Sequence, residues 1–428
     1  MEIGQKELEK LKKAGIGKST DHVFVYRFPD SLDMPEMDVG GFLKEMDGEK
    51  GRERELALYL HIPFCTRICG YCHYYKEAFG QGKGIEGFLG AVEKEIGSYR
   101  SLLGENVRVC SVLFGGGTPT CLEAEQVNGL AGLLRNMFSV GKGVEATIES
   151  SPETLNLEKL SRLRQNFNRL SIGVQDFDDK VLRECNRNHS REQALKAVKE
   201  AREAGFENVN IDLIYGLPKQ GIEGWKRTLD EIEGILPESV TASDLRVQKG
   251  SEFFSGNRKE FASEQELVKM HSMFVEKMLS LGFEQLFPYQ FVKKGKSMKF
   301  LENQWKNSEF LGFGPSSCSY ISGWDYNNLF PLDRYEKAVK EQGFAFAVGK
   351  KLGTDERIKR KVALGLKLCK EGIDKAGFEA EFEVSLGEVF GKIVEELEGL
   401  GLVENSVKRL RLSPKGILFY DSVSRKFF

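Results

Sequence analysis

From about Glu55 onward, apolar and polar positions alternate between two periods. Short runs rich in Leu, Val, Ile and aromatic residues read as strands buried on both faces. They are Leu56–Ile62 (LALYLHI), Val109–Phe114 (VCSVLF), Val144–Ile148, Leu170–Val174 (LSIGV), Val209–Ile214 (VNIDLI) and Val240–Leu245. Between them, apolar residues recur three and four apart, which predicts helices over 85–103, 123–138, 155–167, 190–204 and 222–235. In the first helix Phe88, Leu89, Val92 and Ile96 form the apolar face, and Gly205 is the stop of the fourth. Strands alternating with helices of this length predict an α/β fold with a parallel sheet. Six units are too few for a closed eight-stranded barrel, so the choice is a partial barrel or an open sheet. In either case ligands bind at the C-terminal ends of the strands.

The flanks read differently. The first 20 or so residues predict a short polar helix with Leu8, Leu11 and Ile16 as its apolar positions. An irregular stretch follows, with Pro29, Pro35 and Gly40-Gly41 as breakers. Beyond the last strand, 263–281 predicts one amphipathic helix, and 311–328 (LGFGPSSCSYISGWDYNN) is rich in Phe, Trp and Gly. From Thr354 the pattern is mostly helical, ending in two short strands and a terminal helix, a small winged-helix-like arrangement. The expected organisation is an N-terminal extension (1–54), a core (55–250), a substrate-side extension (251–350) and a C-terminal domain (351–428).

Composition narrows the function. Lys and Arg number 62 and Asp and Glu 64 in 428 residues, for a net charge of −2. That balance argues against a nucleic-acid partner and gives no attraction to an anionic membrane. No apolar run reaches the roughly 18–20 residues of a membrane span. The N-terminal residues lack the apolar core of a secretory signal, so the expected location is the cytoplasm, where thiols stay reduced.

Of eight cysteines, three fall in Cys65-Thr-Arg-Ile-Cys69-Gly-Tyr-Cys72, three residues after the first strand ends. Three thiolates in one loop at a strand's C-terminal end suit a metal centre. Two readings stand: a Cys3His zinc site with His73, or an iron–sulfur cluster with one iron left open to a chelating small molecule. Zinc motifs usually come as two separated pairs, which this chain lacks. The run Gly115-Gly116-Gly117-Thr118 after the second strand lets backbone approach a ligand closely. Asp212 lies inside an apolar strand, where a carboxylate is costly to bury without a partner. Cys110, Cys121, Cys185 and Cys369 read as packed thiols, and Cys318 as a buried residue or a thiol near the substrate.

Residues 59–72, YLHIPFCTRICGYC, resemble the signature of radical S-adenosylmethionine (SAM) enzymes. The His-Ile-Pro-Phe-Cys lead-in is similar to the narrower family of oxygen-independent coproporphyrinogen III oxidases and haem chaperones. The resemblance implies a partial (βα)6 barrel followed by a mainly helical C-terminal domain. It implies a [4Fe–4S] cluster on Cys65, Cys69 and Cys72, and SAM as cofactor, one molecule or two. By position, Tyr59, Tyr71, Gly116, Gly117, Thr118, Glu149, Gln175, Arg187, Asp212 and Ile214 match SAM contacts, Glu149 for the methionine ammonium and Asp212 for the ribose hydroxyls. The implied partners are a small-molecule substrate of tetrapyrrole type and a flavodoxin- or ferredoxin-type electron donor, with the chain acting as a monomer.

The chain departs from the family in two places. The oxidases carry a further cysteine two residues after the third ligand, where this chain has Tyr74, and their N-terminal Tyr- and Pro-containing motif is echoed loosely by Tyr26-Arg-Phe-Pro29. The chaperones carry a His-Asn pair ahead of a tryptophan; aligned on Trp305, those positions are Phe300 and Leu301. A third branch, the class C radical methyltransferases, resembles this chain in lacking the extra cysteine. The expected activity is therefore methyl or methylene transfer, with oxidase-like decarboxylation or haem carriage as alternatives.

Overall fold

The computed structural model describes residues 3–18, 25, 27–79, 84–256 and 260–428; Tyr26 and His22 lie outside the described residues. Six parallel strands form the centre: β1 (Arg54–Ile62), β2 (Val107–Gly116), β3 (Ser139–Ser150), β4 (Arg169–Gln175), β5 (Val209–Tyr215) and β6 (Ser239–Asp244). Each pairs with the next in sequence order. Helices Ile85–Leu103, Ala124–Met137, Leu157–Leu163, Arg191–Glu203 and Gly221–Ile235 cover the outer face. Leu58, Leu60, Phe114, Ile148 and Ile172 from the strands and Val92 and Ile96 from the first of these helices belong to one buried core. The partial barrel that the resemblance implies is present.

The sheet continues past both edges. Strands β7 (Glu284–Phe287) and β8 (Gln290–Val292) extend it beyond β6. On the other side stand β9 (Phe310–Phe313), β10 (Cys318–Ile321), β11 (Trp324–Asn328) and β12 (Phe346–Lys351). The order is β12-β11-β10-β9-β1-β2-β3-β4-β5-β6-β8-β7. β9 runs parallel to β1, so β1 has neighbours on both sides. The Phe-, Trp- and Gly-rich stretch thus supplies most of β9 and all of β10 and β11. Ser322 and Gly323 both have positive φ (50° and 78°) and form the two-residue turn between Ile321 and Trp324.

Three expectations need correction. Gly40-Gly41 does not break the chain; it opens the helix Val39–Gly48. Asp38 caps this helix by accepting from the Gly41 N–H at 2.9 Å, and a Cβ on Gly41 would lie 2.3 Å from Asp38 Oδ2, so the cap requires the glycine. The helix expected over 155–167 is only Leu157–Leu163, capped by Asn156. The N-terminal helix is Gln5–Lys13.

The C-terminal segment has helices Lys375–Phe382 and Leu386–Gly399 against a three-stranded sheet, Ile373–Asp374, Val403–Asn405 and Arg409–Leu412, in the expected winged-helix-like form. It is not a separate body. Its apolar residues share a core with Leu8, Leu11 and Ile16 and with Ala57 and Leu113 on the inner face of the barrel. The helix Lys299–Trp305 also lies on that inner face, with Phe300 5.9 Å from the Tyr59 ring and Asn303 Nδ2 donating to Ser111 Oγ at 3.2 Å. Among the described residues no helix is long and apolar enough to cross a membrane.

Candidate cofactor site

The predicted site residues lie on β1–β5 and in the segments that follow β1, β2 and β4. β1 leads into the cysteine loop, whose start at Phe64–Cys65 pairs with Glu77–Ala78. Several contacts staple this loop down. Gly70 donates to the Cys185 carbonyl at 3.0 Å and accepts from Phe253 N–H at 2.9 Å. Asn186 Nδ2 donates to the Ile68 carbonyl at 2.7 Å, and Thr66 Oγ1 to Glu153 Oε1 at 3.0 Å. Lys76 Nζ donates to the Cys72 carbonyl at 2.5 Å. Two thiols have donors of their own: Thr118 Oγ1 stands 3.7 Å from Cys65 Sγ, and Arg187 Nη1 3.2 Å from Cys69 Sγ. Burial pushes the Cys65 thiol up to about 12, so the loop is costly to ionise without a cation to receive the charge.

Each glycine of the run after β2 answers to a different neighbour. A Cβ on Gly115 would lie 2.6 Å from Glu149 Oε2; one on Gly116, whose φ is 111°, 2.8 Å from the His61 ring; one on Gly117, 2.6 Å from the Phe64 carbonyl oxygen. The run therefore packs against β1, β3 and the cysteine loop together. Gly116 N–H donates to Glu149 Oε2 at 3.3 Å. Tyr59 faces the same space. Its hydroxyl donates to His61 Nδ1 at 3.0 Å, because His61 Nε2–H is used by the Tyr75 carbonyl at 3.0 Å.

The pattern of exposure along the strands is selective. In β4 every residue is buried except Gln175, and in β5 every residue except Asp212 and Ile214. In β1 the half-exposed residue is Tyr59, Glu55 at the far end being fully exposed. Glu149, Gly116, Gly117, Thr118, Tyr71 and Arg187 are likewise half-buried. All ten positions are thus partly exposed. Asp212 is held from below: Ser171 Oγ donates to Oδ2 and Asn210 Nδ2 to Oδ1, each at 2.7 Å, which leaves its outer lone pairs for a ligand. Burial, then the neighbouring Asp212, raises Glu149 to about 7. Gln175 has a φ of 69°, backbone strain at the mouth of the site. Arg187 departs from a simple ligand-binding role: besides Cys69 it donates to Ser151 Oγ at 2.7 Å and to the Gly173 carbonyl. It ties the cysteine loop to β3 and β4. His61, Ser171, Asn210, Glu153 and Arg169 were missed in the sequence; polar residues inside apolar strands were the available signal for Ser171 and Asn210.

Among the described residues, no group of three or more His, Cys, Asp and Glu side chains is placed to hold a metal ion. The His73 ring lies 4.3 Å from that of Tyr74. Thiolates of a four-iron cluster bind separate irons and stand farther apart than the ligands of one ion. The all-cysteine donor set, with Thr118 and Arg187 donating to its sulfurs, fits such a cluster.

Comparison with known proteins agrees. The Radical SAM superfamily matches residues 59–232 and the HemN C-terminal domain residues 352–419. "Heme chaperone HemW" of Bacillus subtilis is 30% identical over 374 residues, covering 86% of this chain and 98% of its own length. "Oxygen-independent coproporphyrinogen III oxidase" of Escherichia coli is 31% identical over 395 residues, 88% of this chain and 86% of that one. The solved structure of the Escherichia coli coproporphyrinogen III oxidase HemN superposes with a TM-score of 0.84 at 29% identity, covering 94% of this chain and 96% of that one.

Proposed function

The chain belongs to the radical SAM family of oxygen-independent coproporphyrinogen III oxidases and haem chaperones, which implies a [4Fe–4S] cluster and SAM, and we propose that it is an enzyme that cleaves SAM reductively and turns the resulting radical on a tetrapyrrole-class substrate. The carrying observation is the exposure pattern: the half-exposed inward positions of β4 and β5 are Gln175, Asp212 and Ile214. Cys65, Cys69 and Cys72 would hold the cluster, which supplies the single electron that breaks the C5′–S bond of SAM. Thr118 and Arg187 orient two of the thiolates by hydrogen bonds. Glu149 offers a carboxylate to the methionine ammonium. Asp212, fixed by Ser171 and Asn210, offers its free lone pairs to the ribose hydroxyls. Gly116 and Gly117 leave room for close approach of the backbone. Tyr71 and Ile214 supply apolar walls.

The substrate reaction we favour is oxidase-like attack on a side chain of the macrocycle. Methyl transfer draws no support from the relatives described above, which carry oxidase and chaperone names. Haem carriage has the named Bacillus relative in its favour, but the positions aligned with the chaperone His-Asn pair are Phe300 and Leu301. Phe300 is 5% exposed and packs on Tyr59 and Phe310. Both ring nitrogens of His61 and of His189 are hydrogen-bonded within the fold, and His271 is fully buried. The test is anaerobic incubation of the reconstituted chain with labelled SAM, a reductant and coproporphyrinogen III. Expected are 5′-deoxyadenosine and loss of carbon dioxide from the substrate. Tight haem binding without 5′-deoxyadenosine overturns the enzyme reading, and label in the macrocycle replaces decarboxylation with methyl transfer.

A further inference from the structure

Three carboxylates face the inside of the barrel from neighbouring strands, Glu145 and Glu149 on β3 and Asp212 on β5, and one buried cation stands among them. Arg169 opens β4 and is 1% exposed. It pairs with Thr147 in the β3–β4 register, one inward position below the Glu149–Ser171 pair. Among the described residues its Nη2 reaches only Ser239 Oγ, at 3.4 Å, while Nε and Nη1 meet no acceptor. A buried guanidinium with unused donors demands an explanation, since such groups are ordinarily paired. It makes no hydrogen bond to any of the three carboxylates, so its field acts on all of them through space. Each is influenced by it in the same direction, towards the ionised form.

We propose that Arg169 is a positioning residue for the cofactor site: from beneath the strand ends, its guanidinium opposes the burial and mutual repulsion that protonate Glu149 and Asp212, and so favours the ionised states that receive the ammonium and ribose of SAM. This rests on the assignment of those two carboxylates as SAM contacts. Two carboxylates on nearby strands in a buried space repel each other and tend to share a proton. A protonated Glu149 cannot pair with an ammonium. The other groups facing Glu149 and Asp212 do not replace the cation. β1 brings the neutral Tyr59, β2 the Gly116 N–H, β3 the further anion Glu145, and β6 the uncharged Ser239 and Thr241. Ser171 and Asn210 add hydrogen bonds to Asp212 alone.

The experiment is equilibrium binding of labelled SAM to the full reconstituted chain across the neutral pH range, with iron content measured on the same samples. With Glu149 at about 7, wild-type affinity should weaken as pH falls through neutrality. Arg169→Gln should move that acid limb up by about one pH unit, about fivefold weaker binding at about pH 7 and about tenfold weaker well below it, with iron content unchanged. Arg169→Lys should restore most of the loss, which a purely structural role does not predict. Glu145→Gln removes a competing anion and should move the limb down. A folded Arg169→Gln chain with the wild-type profile overturns the proposal. If that variant does not fold, an Arg169→Lys profile displaced as far as the loss of the charge requires, or a Glu145→Gln profile that fails to move down, overturns it instead. A wild-type chain that binds no SAM at any pH overturns the site assignment, and the role of Arg169 with it.

Discussion

Gly117→Ala tests whether the cysteine loop and the glycine loop are one packed unit. Gly117 N–H donates to the Ile62 carbonyl at 2.8 Å and Thr118 N–H to the Phe64 carbonyl at 2.7 Å, so the two loops are cross-braced just ahead of Cys65. A Cβ on Gly117 would lie 2.6 Å from the Phe64 oxygen and 2.8 Å from both the carbonyl carbon and oxygen of Pro63. Real Cβ contacts begin at 3.0–3.4 Å, so the loops must part by about 0.4–0.8 Å. The obstructing atoms are backbone, and Pro63 has a fixed φ, so no side chain can swing away. Overpacking of this kind costs about 1–3 kcal/mol, and a weakened cross-brace adds about 1 kcal/mol. The functional cost follows from placement: a misplacement near 1 Å can cost about 100-fold in rate. The expected outcome is less iron retained after anaerobic reconstitution, a lower melting temperature, and a fall of about tenfold or more in 5′-deoxyadenosine formation. Gly129→Ala and Gly132→Ala are the controls. Both lie in the helix Ala124–Met137 with nothing within 4 Å of the new Cβ, and each should stabilise by about 0.5–1 kcal/mol. A Gly117→Ala chain with wild-type iron, melting temperature and cleavage rate would refute the reasoning.

Alanine at Cys65, Cys69 or Cys72 should each abolish iron–sulfur absorbance near ~400 nm; retained iron and absorbance in any one of them removes that cysteine from the ligand set. Asp212→Asn should leave iron content intact and weaken SAM binding about tenfold, because an amide presents a donor where Ser171 or Asn210 already donates; unchanged affinity by equilibrium dialysis contradicts the ribose role. Glu95, fully buried under Gly314 N–H, Asn328 Nδ2 and Tyr335 OH at 2.7–2.9 Å, is raised to about 7 chiefly by burial. Its folded state holds a proton that the unfolded chain releases near 4.5, so its contribution to stability declines as pH rises from about 4.5 to about 7. Glu95→Gln should flatten that slope by about 2–3 kcal/mol in denaturant titrations at the two ends of the window; an unaltered difference between variant and wild type across it refutes the shift.

The central fold was legible because parallel strands buried on both faces leave continuous apolar runs, and their helices keep a clean helical period. The cysteine loop, the glycine run and Asp212 were legible because each breaks the apolar pattern at a strand or just past its end. What was not legible depended on partners distant in the chain. β9 looks too short and glycine-rich to be a strand until it is seen paired with β1, 250 residues earlier in sequence. Gly40-Gly41 read as a breaker because the sequence does not show that Asp38 would fold back as the cap. His61 read as part of a motif with no role of its own; its link from Tyr59 to Tyr75 exists only once the cysteine loop has closed.

The same two-residue period that makes the strands also stacks the barrel interior in levels. On β4 the inward positions run Arg169, Ser171, Gly173 and Gln175, and on β5 Asn210, Asp212 and Ile214. The upper level is partly exposed, the middle level is a net of Ser171, Asn210 and Thr241 hydrogen bonds, and Arg169 lies below. An eight-stranded barrel fills its interior with its own side chains, whereas an arc of six leaves a side open. Here the open side is closed by chain that carries no motif: the helix Lys299–Trp305 sits against β1 and β2, and the apolar residues of the C-terminal segment meet Ala57 and Leu113 in one core. The segment beyond residue 350 therefore supports the level beneath the cofactor site, and its sequence is constrained by the floor of the barrel as much as by any chemistry of its own.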